Sequence, residues 1–197
     1  MFFNQKEFLL ILIMIWPTFS SFSWADDQRP DFNQSRYKED YRFLKNLEKR
    51  TDYFDSLKYI PFNKSETLYL TLGGEIRQHF ESINNNNWGK GTQDDNGYYL
   101  QRYLVHGDLH AGDRMRFFVQ LMSGIENGRK GGPRAVDKDW LDLNQGFVDF
   151  DFWKKTGQRL TRRAGRQEMI FGSRRVINYR ERPNMRLSHD AVMWIYH

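Results

Sequence analysis

The sequence contains no cysteine. That removes disulfides and thiolate chemistry, nucleophilic or metal-binding. It also lacks any long apolar run. A membrane-spanning helix needs about 20 consecutive apolar residues, and the longest candidate, Phe8 to Trp16, falls well short. Mean hydropathy is low, at −0.79. These absences exclude a helical membrane protein but not a membrane β-barrel. A barrel alternates lipid-facing and lumen-facing residues, so its mean hydropathy carries little information. A third absence is local. From Gly157 to His197 there is no lysine, while the same stretch holds nine arginines and only three acids, Glu168, Glu181 and Asp190.

Aromatic residues are abundant, at 16%, and the formal charge is +5. The N-terminus has the layout of a secretory leader: Lys6, the apolar run Phe8 to Trp16, a helix-breaking Pro17, and the small-residue site Ser23-Trp24-Ala25. Residues 1–25 are therefore expected to be a signal peptide cut after Ala25. Export argues against cytoplasmic roles, and no nucleic-acid partner is expected despite a pI near 9.4.

Residues 26–62 read as a polar periplasmic lead-in, ended by Pro61. Tyr37, Tyr41, Phe43, Leu44 and Leu47 are spaced as weak helical turns. The stretch Asp40 to Leu44 either lies against a barrel floor or forms a loose leader. From Leu68 the period changes to two. Leu68, Leu70, Leu72, Gly74, Ile76 and Phe80 fall on one face; Tyr69, Thr71, Gly73, Glu75, Arg77, His79 and Glu81 fall on the other. Such alternation predicts a strand with one apolar and one wet face. Further strands follow at Tyr98 to Ala111, from Met115 to about Glu126, at about Leu141 to Phe152, near Leu160 to Phe171, and from Ala191 onward. The fifth alternates poorly, because Arg162 and Arg166 share a parity with Leu160 and Ala164. A bulge near Gly165 would repair it.

Connections run long, short, long, short, long: Ser82 to Gly97, Gly112 to Arg114, Glu126 to Asp139, Lys154 to Gln158, and a polar stretch over Asn178 to Asp190. Outer-membrane barrels alternate long outer loops with short periplasmic turns in this way. The strands, at about 10–14 residues, are long enough to cross a bilayer. Aromatics gather near their ends, as at membrane interfaces. A soluble sandwich also alternates and remains the competing fold. About six strands are fewer than the eight or so of the smallest bacterial barrels. The last run, Trp194 to His197, stops in mid-alternation. Residues 63–197 are thus expected to be the N-terminal part of an antiparallel transmembrane β-barrel.

Several stretches carry a family likeness. They are Thr51-Asp52-Tyr53-Phe54-Asp55, Leu57-Lys58-Tyr59-Ile60-Pro61, Leu72-Gly73-Gly74-Glu75-Ile76-Arg77, and Asn96-Gly97-Tyr98-Tyr99-Leu100-Gln101-Arg102-Tyr103. Ser123-Gly124-Ile125-Glu126-Asn127-Gly128-Arg129, Gly165-Arg166-Gln167-Glu168 and Phe171-Gly172-Ser173-Arg174-Arg175 complete the series. In this order they resemble the alginate export family of outer-membrane proteins. The resemblance implies a monomeric barrel of about eighteen strands, with an arginine-lined lumen passing an anionic polysaccharide or smaller anions. Arg162 departs from the pattern, standing where a lipid-facing apolar residue is expected.

Arginine binds carboxylates in a bidentate fork and stays charged in a narrow pore. Arg77, Arg102, Arg116, Arg163, Arg166 and Arg174 are the candidate lumen residues for anion selectivity. Alternatively, the arginines pair with lumen acids such as Glu75, Asp108, Asp149 and Glu168, or contact lipopolysaccharide. His106 and His110 lie about 13 Å apart on a strand, too far to share one ion, so no metal or other cofactor is expected. No catalytic constellation stands out, so the chain is read as a channel rather than an enzyme. A periplasmic polysaccharide-binding or polysaccharide-lyase domain is the alternative, separable by detergent dependence. The expected surroundings are outer-membrane lipid and lipopolysaccharide.

Overall fold

The computed structural model describes residues 29–197, so the leader at 1–25 and its cleavage after Ala25 lie outside the described residues. Seven strands follow one another as an antiparallel meander: β1 (Ile60–Pro61), β2 (Leu68–Glu81), β3 (Tyr98–Ala111), β4 (Met115–Asn127), β5 (Asp139–Lys155), β6 (Gln158–Gln167) and β7 (His189–Tyr196). Each pairs only with its neighbours in sequence, and the sheet is open.

The period-two pattern explains these elements. β3 has the expected bounds, and its ladder with β2 is unbroken from Leu68 opposite Ala111 to Glu81 opposite Tyr98. β5 extends past both expected ends. β6 stops at Gln167, four residues before Phe171, because Glu168 turns inward and is bonded there by Asn144 and Arg186. The two-residue β1 was not legible in the pattern. Pro61 lacks an N–H and so suits an edge, where it lies opposite Tyr69. β5 and β6 join through Thr156 and Gly157. Gly157 has φ +77, as a tight hairpin turn demands.

The irregularity expected near Gly165 lies elsewhere. Gly165 stays in register with Phe147 and Ala191, and the shift falls between Asp151 and Trp153. The extra residue is therefore in β5, which leaves the parity of β6 intact. Arg162 and Arg166 accordingly share the face of Ala164 and Val192.

One face of the sheet carries exposed apolar side chains. Ile76 is 72% exposed and Val105 62%. Val119, Val148, Val192 and Trp194 are also exposed, while Leu70 and Phe117 are half-buried. No second layer of the described residues covers this face, as a soluble sandwich would require. We call it the outer face.

The opposite, inner face is filled by two segments. Toward the short turns lies the stretch that precedes β1, with 3₁₀ turns at Arg36–Lys38, Arg42–Lys45 and Leu47–Lys49 and one α turn at Asp55–Lys58. Of the two placements open to residues 40–44, the structure takes the packed one. Tyr41, Leu44, Tyr59 and Tyr69 form a buried cluster, and Tyr69 stacks on His110 at 4.5 Å. Full burial of a leucine such as Leu44 stabilises by about 1.5–3 kcal/mol. Toward the long loops, residues 168–188 fold back over the inner face.

Candidate functional site

The inner face mixes buried charge with a narrow apolar band. Leu100, Leu104, Phe118, Met122 and Phe147 are buried, and beside them lie Arg102, His106, Asp108, Gln120, Gln145, Asp149 and Arg163. Strand alternation places all of these on one side. The apolar members are those that interrupt the polar parity of the sequence.

At the short-turn end the charges form a ladder across strands. Arg116 of β4 donates to both oxygens of Asp108 in β3, at 2.7 and 2.6 Å. Arg163 of β6 makes the same fork to Asp149 of β5, at 2.7 and 2.8 Å. Asp149 also lies 3.9 Å from Arg116, linking the two pairs. The preceding segment locks onto this ladder through Tyr37. Its carbonyl accepts from Arg116. Its ring meets those of Phe118 and Phe147 edge-on, at 6.0 and 5.5 Å, under the Arg163 guanidinium at 4.4 Å.

At the long-loop end a second network holds the folded-back loop. Arg102 is almost fully buried and donates to Glu75 at 3.0 Å and to Glu181 at 2.7 Å. Arg186 reaches Glu181 at 2.5 Å and Glu168 at 3.5 Å. Arg77 donates to the Glu181 carbonyl at 2.7 Å. Asn184 is buried against Asp137 and the Gln101 carbonyl. Burial alone would raise the pKa of Glu181, but the Arg102 hydrogen bond and the charges of Arg186 and Arg102 outweigh it and hold the pKa below the usual glutamate value. For Glu168 burial prevails and raises the pKa. The two fillings touch at Gln34, which accepts from the Tyr179 hydroxyl at 2.5 Å and, through its carbonyl, from Arg186 at 3.0 Å.

Beside this network, Arg129 gathers Glu126, Asp94 and Asp137 at 2.7, 3.4 and 3.3 Å, tying the first long loop to the second. A cleft of about 460 Å³ opens nearby, lined by Arg77, Glu81, Arg129, Arg134, Arg180 and Arg182 among others.

Of the six candidate arginines, the structure puts Arg77, Arg102, Arg116 and Arg163 on the inner face. It joins Arg77 to Arg102 through Glu181, and Arg116 to Arg163 through Asp149. Arg166 does not join them. The unbroken β6 register turns it to the outer face, where it forks onto Asp190 at 3.0 and 3.1 Å. Arg174 is exposed in the folded-back loop. Like Arg175 and Arg180, it has no ion-pair partner among the described residues. The pairing alternative is thus realised for Glu75, Asp108, Asp149 and Glu168.

Sequence reading missed the roles of Glu181, Arg186 and Tyr37. The only hint was the arginine-rich composition of the third long connection. Among the described residues no cluster of three or more His, Asp or Glu side chains is placed to hold a metal ion. Nor is any described helix long and apolar enough to cross a membrane, which says nothing of strands.

The model of the family described as alginate export matches residues 68–197, from the start of β2 to the end of the chain. No curated protein and no solved structure matches the chain.

Proposed function

The chain belongs to the alginate export family, and from that premise we propose that it forms part of the wall of an outer-membrane channel. In this reading the channel passes an alginate-like anionic polysaccharide, or smaller anions. Lipid surrounds its outer face, lipopolysaccharide its long-loop end, and the complete barrel is monomeric. The observation that carries the reading is the two-sided sheet, with exposed Ile76, Val105 and Val119 on one side and a ladder of arginines and acids on the other. Apolar side chains that no layer of the described residues covers suit lipid. The family is one of transport channels, and the reading assigns no catalytic residue.

In this proposal Arg77, Arg102, Arg116 and Arg163 guide anions along the wall. Each already holds a carboxylate, and Arg102 and Arg163 are buried beneath the inner-face fillings, so they act through the field they set along the wall rather than by touching the solute. Arg174, exposed in the long loop and without an ion pair among the described residues, offers a first contact. Arg166 is left out because it faces away.

Reversal potentials across a planar bilayer, measured on a closed barrel that contains this sheet, test this. The unmodified pore should prefer anions. Replacing Arg102→Ala together with Arg116→Ala removes two positive charges and leaves Asp108 without its fork. Selectivity should then move toward cations at 0.1 M salt, where the Debye length is about 10 Å, and little at 1 M, where it is about 3 Å. An unmodified pore that already prefers cations refutes the proposal.

A further inference from the structure

Two arginines face outward from β6, and the chain treats them differently. Arg166, near the long-loop end, is neutralised by Asp190. Arg162 is exposed and has no acidic partner among the described residues. Instead its guanidinium stands 5.7 Å from the centre of the Trp194 ring. Arg162 lies opposite Trp194 on one side and Phe150 on the other. Phe152 packs against both rings, at 5.2 Å from Trp194 and 4.9 Å from Phe150. On the next rung toward the short turn, Leu160 lies between Trp153 and Tyr196. Lys155, opposite Gln158, ends the same face, and it too has no ion pair among the described residues.

We propose that Arg162 and the rings of Trp194 and Phe152 form a binding site on the outer face for an anionic phospholipid headgroup in the leaflet at the short-turn end, with Lys155 adding positive charge on its headgroup side. The inference rests on the reading that this face meets lipid. An arginine turned toward hydrocarbon is costly at mid-bilayer and nearly free at the interface. Tryptophan and tyrosine favour the interface, and three such residues, Trp153, Trp194 and Tyr196, flank Arg162. The side chain therefore stands at headgroup depth, where its stem lies on apolar surface while its head reaches outward. Among the described residues Arg166 has a counter-charge and Arg162 has none, so the missing anion comes from the surroundings. A phosphate diester accepts two parallel hydrogen bonds from a guanidinium. Lys155 stands about 13 Å further along the strand at 3.3 Å per residue, toward the headgroup side. The aromatic rings lie where the upper acyl chains run.

The test is electron spin resonance of spin-labelled lipids around the full chain in bilayers. Phosphatidylglycerol should associate more strongly than phosphatidylcholine. Arg162→Gln should reduce that preference about fivefold, the factor of about 1 kcal/mol per basic residue at an anionic surface. Arg162→Lys should retain part of it, and 1 M salt should weaken it. Equal association of the two lipids, or a preference that survives Arg162→Gln, overturns the inference while leaving the channel reading intact. Stronger Arg162-dependent displacement by lipid A than by phosphatidylglycerol assigns the phosphate to the other leaflet and overturns the phospholipid assignment. If neither lipid shows a protein-contact component, the lipid-facing reading fails, and this inference with it.

Discussion

Glu181 ties the folded-back loop to the sheet, so Glu181→Gln should loosen that loop. The carboxylate accepts from Arg102 at 2.7 Å and from Arg186 at 2.5 Å, with Arg77 at 3.5 Å. Glutamine keeps the shape, but it offers one acceptor oxygen and turns an amide donor toward a guanidinium. A hydrogen bond to a charged group stabilises by about 1.5–3 kcal/mol, against about 0.5–1.5 kcal/mol for a neutral one. Losing charge assistance twice therefore costs about 2 kcal/mol. Because the Glu181 side chain is 34% exposed, about 1.5 kcal/mol is the better figure after solvent screening. That corresponds to about a tenfold rise in the open population.

With no other cysteine in the chain, a single Met185→Cys reports on opening, because Met185 packs over Gly124. A water-soluble maleimide should label it about ten times faster when Glu181→Gln is added. Asp190→Asn, which breaks the outer-face pair with Arg166, should not change the rate. Equal labelling with and without Glu181→Gln would refute the tether. The pH dependence has a definite sign. Because the folded-state pKa of Glu181 is lowered, its contribution is full above the ordinary glutamate value and is lost as pH falls through the lowered one. Glu168, with its raised pKa, behaves oppositely. Its ionised form is costly in place at neutral pH, and protonation relieves that cost. The loop should therefore open only in acid below the usual glutamate range, read by cleavage with an acid-active protease, because the thiolate that maleimide needs is scarce there.

Val105→Lys, at the middle of β3 on the outer face, should impair membrane insertion by about 2–4 kcal/mol; insertion into vesicles, followed by protease protection, checks this. Gly165→Ala should lower the unfolding temperature measured by heat-modifiable gel migration. Gly165 has φ +128, and an added Cβ would meet the Gly146 carbonyl and stand 2.8 Å from the Phe147 Cα, a strained position costing about 1–3 kcal/mol or more. Tyr37→Ala should raise single-channel conductance by loosening the segment docked on Phe118, Phe147 and Arg163. Conductance unchanged from the parent channel would mean that this segment does not obstruct the lumen.

The strands and their faces were legible in the sequence because side-chain direction alternates with every residue along an extended chain. Ile76, Val105 and Val119 could be assigned one side, and Glu75, Arg102 and Gln120 the other, from local order alone. The alternation of long and short connections was local in the same sense. Tertiary structure decided whatever depends on register between strands or on contacts far apart in the chain. Arg166 faces outward because the extra residue lies in β5, near Phe152, and not in β6. Arg102 finds Glu181 across 79 residues, and Arg116 finds the Tyr37 carbonyl across another 79. Composition announced an excess of arginine in the third long connection. It carried no information on which arginines would be neutralised. Ion pairing depends on distances of a few ångströms, and those distances exist only once the loop has folded back onto the sheet.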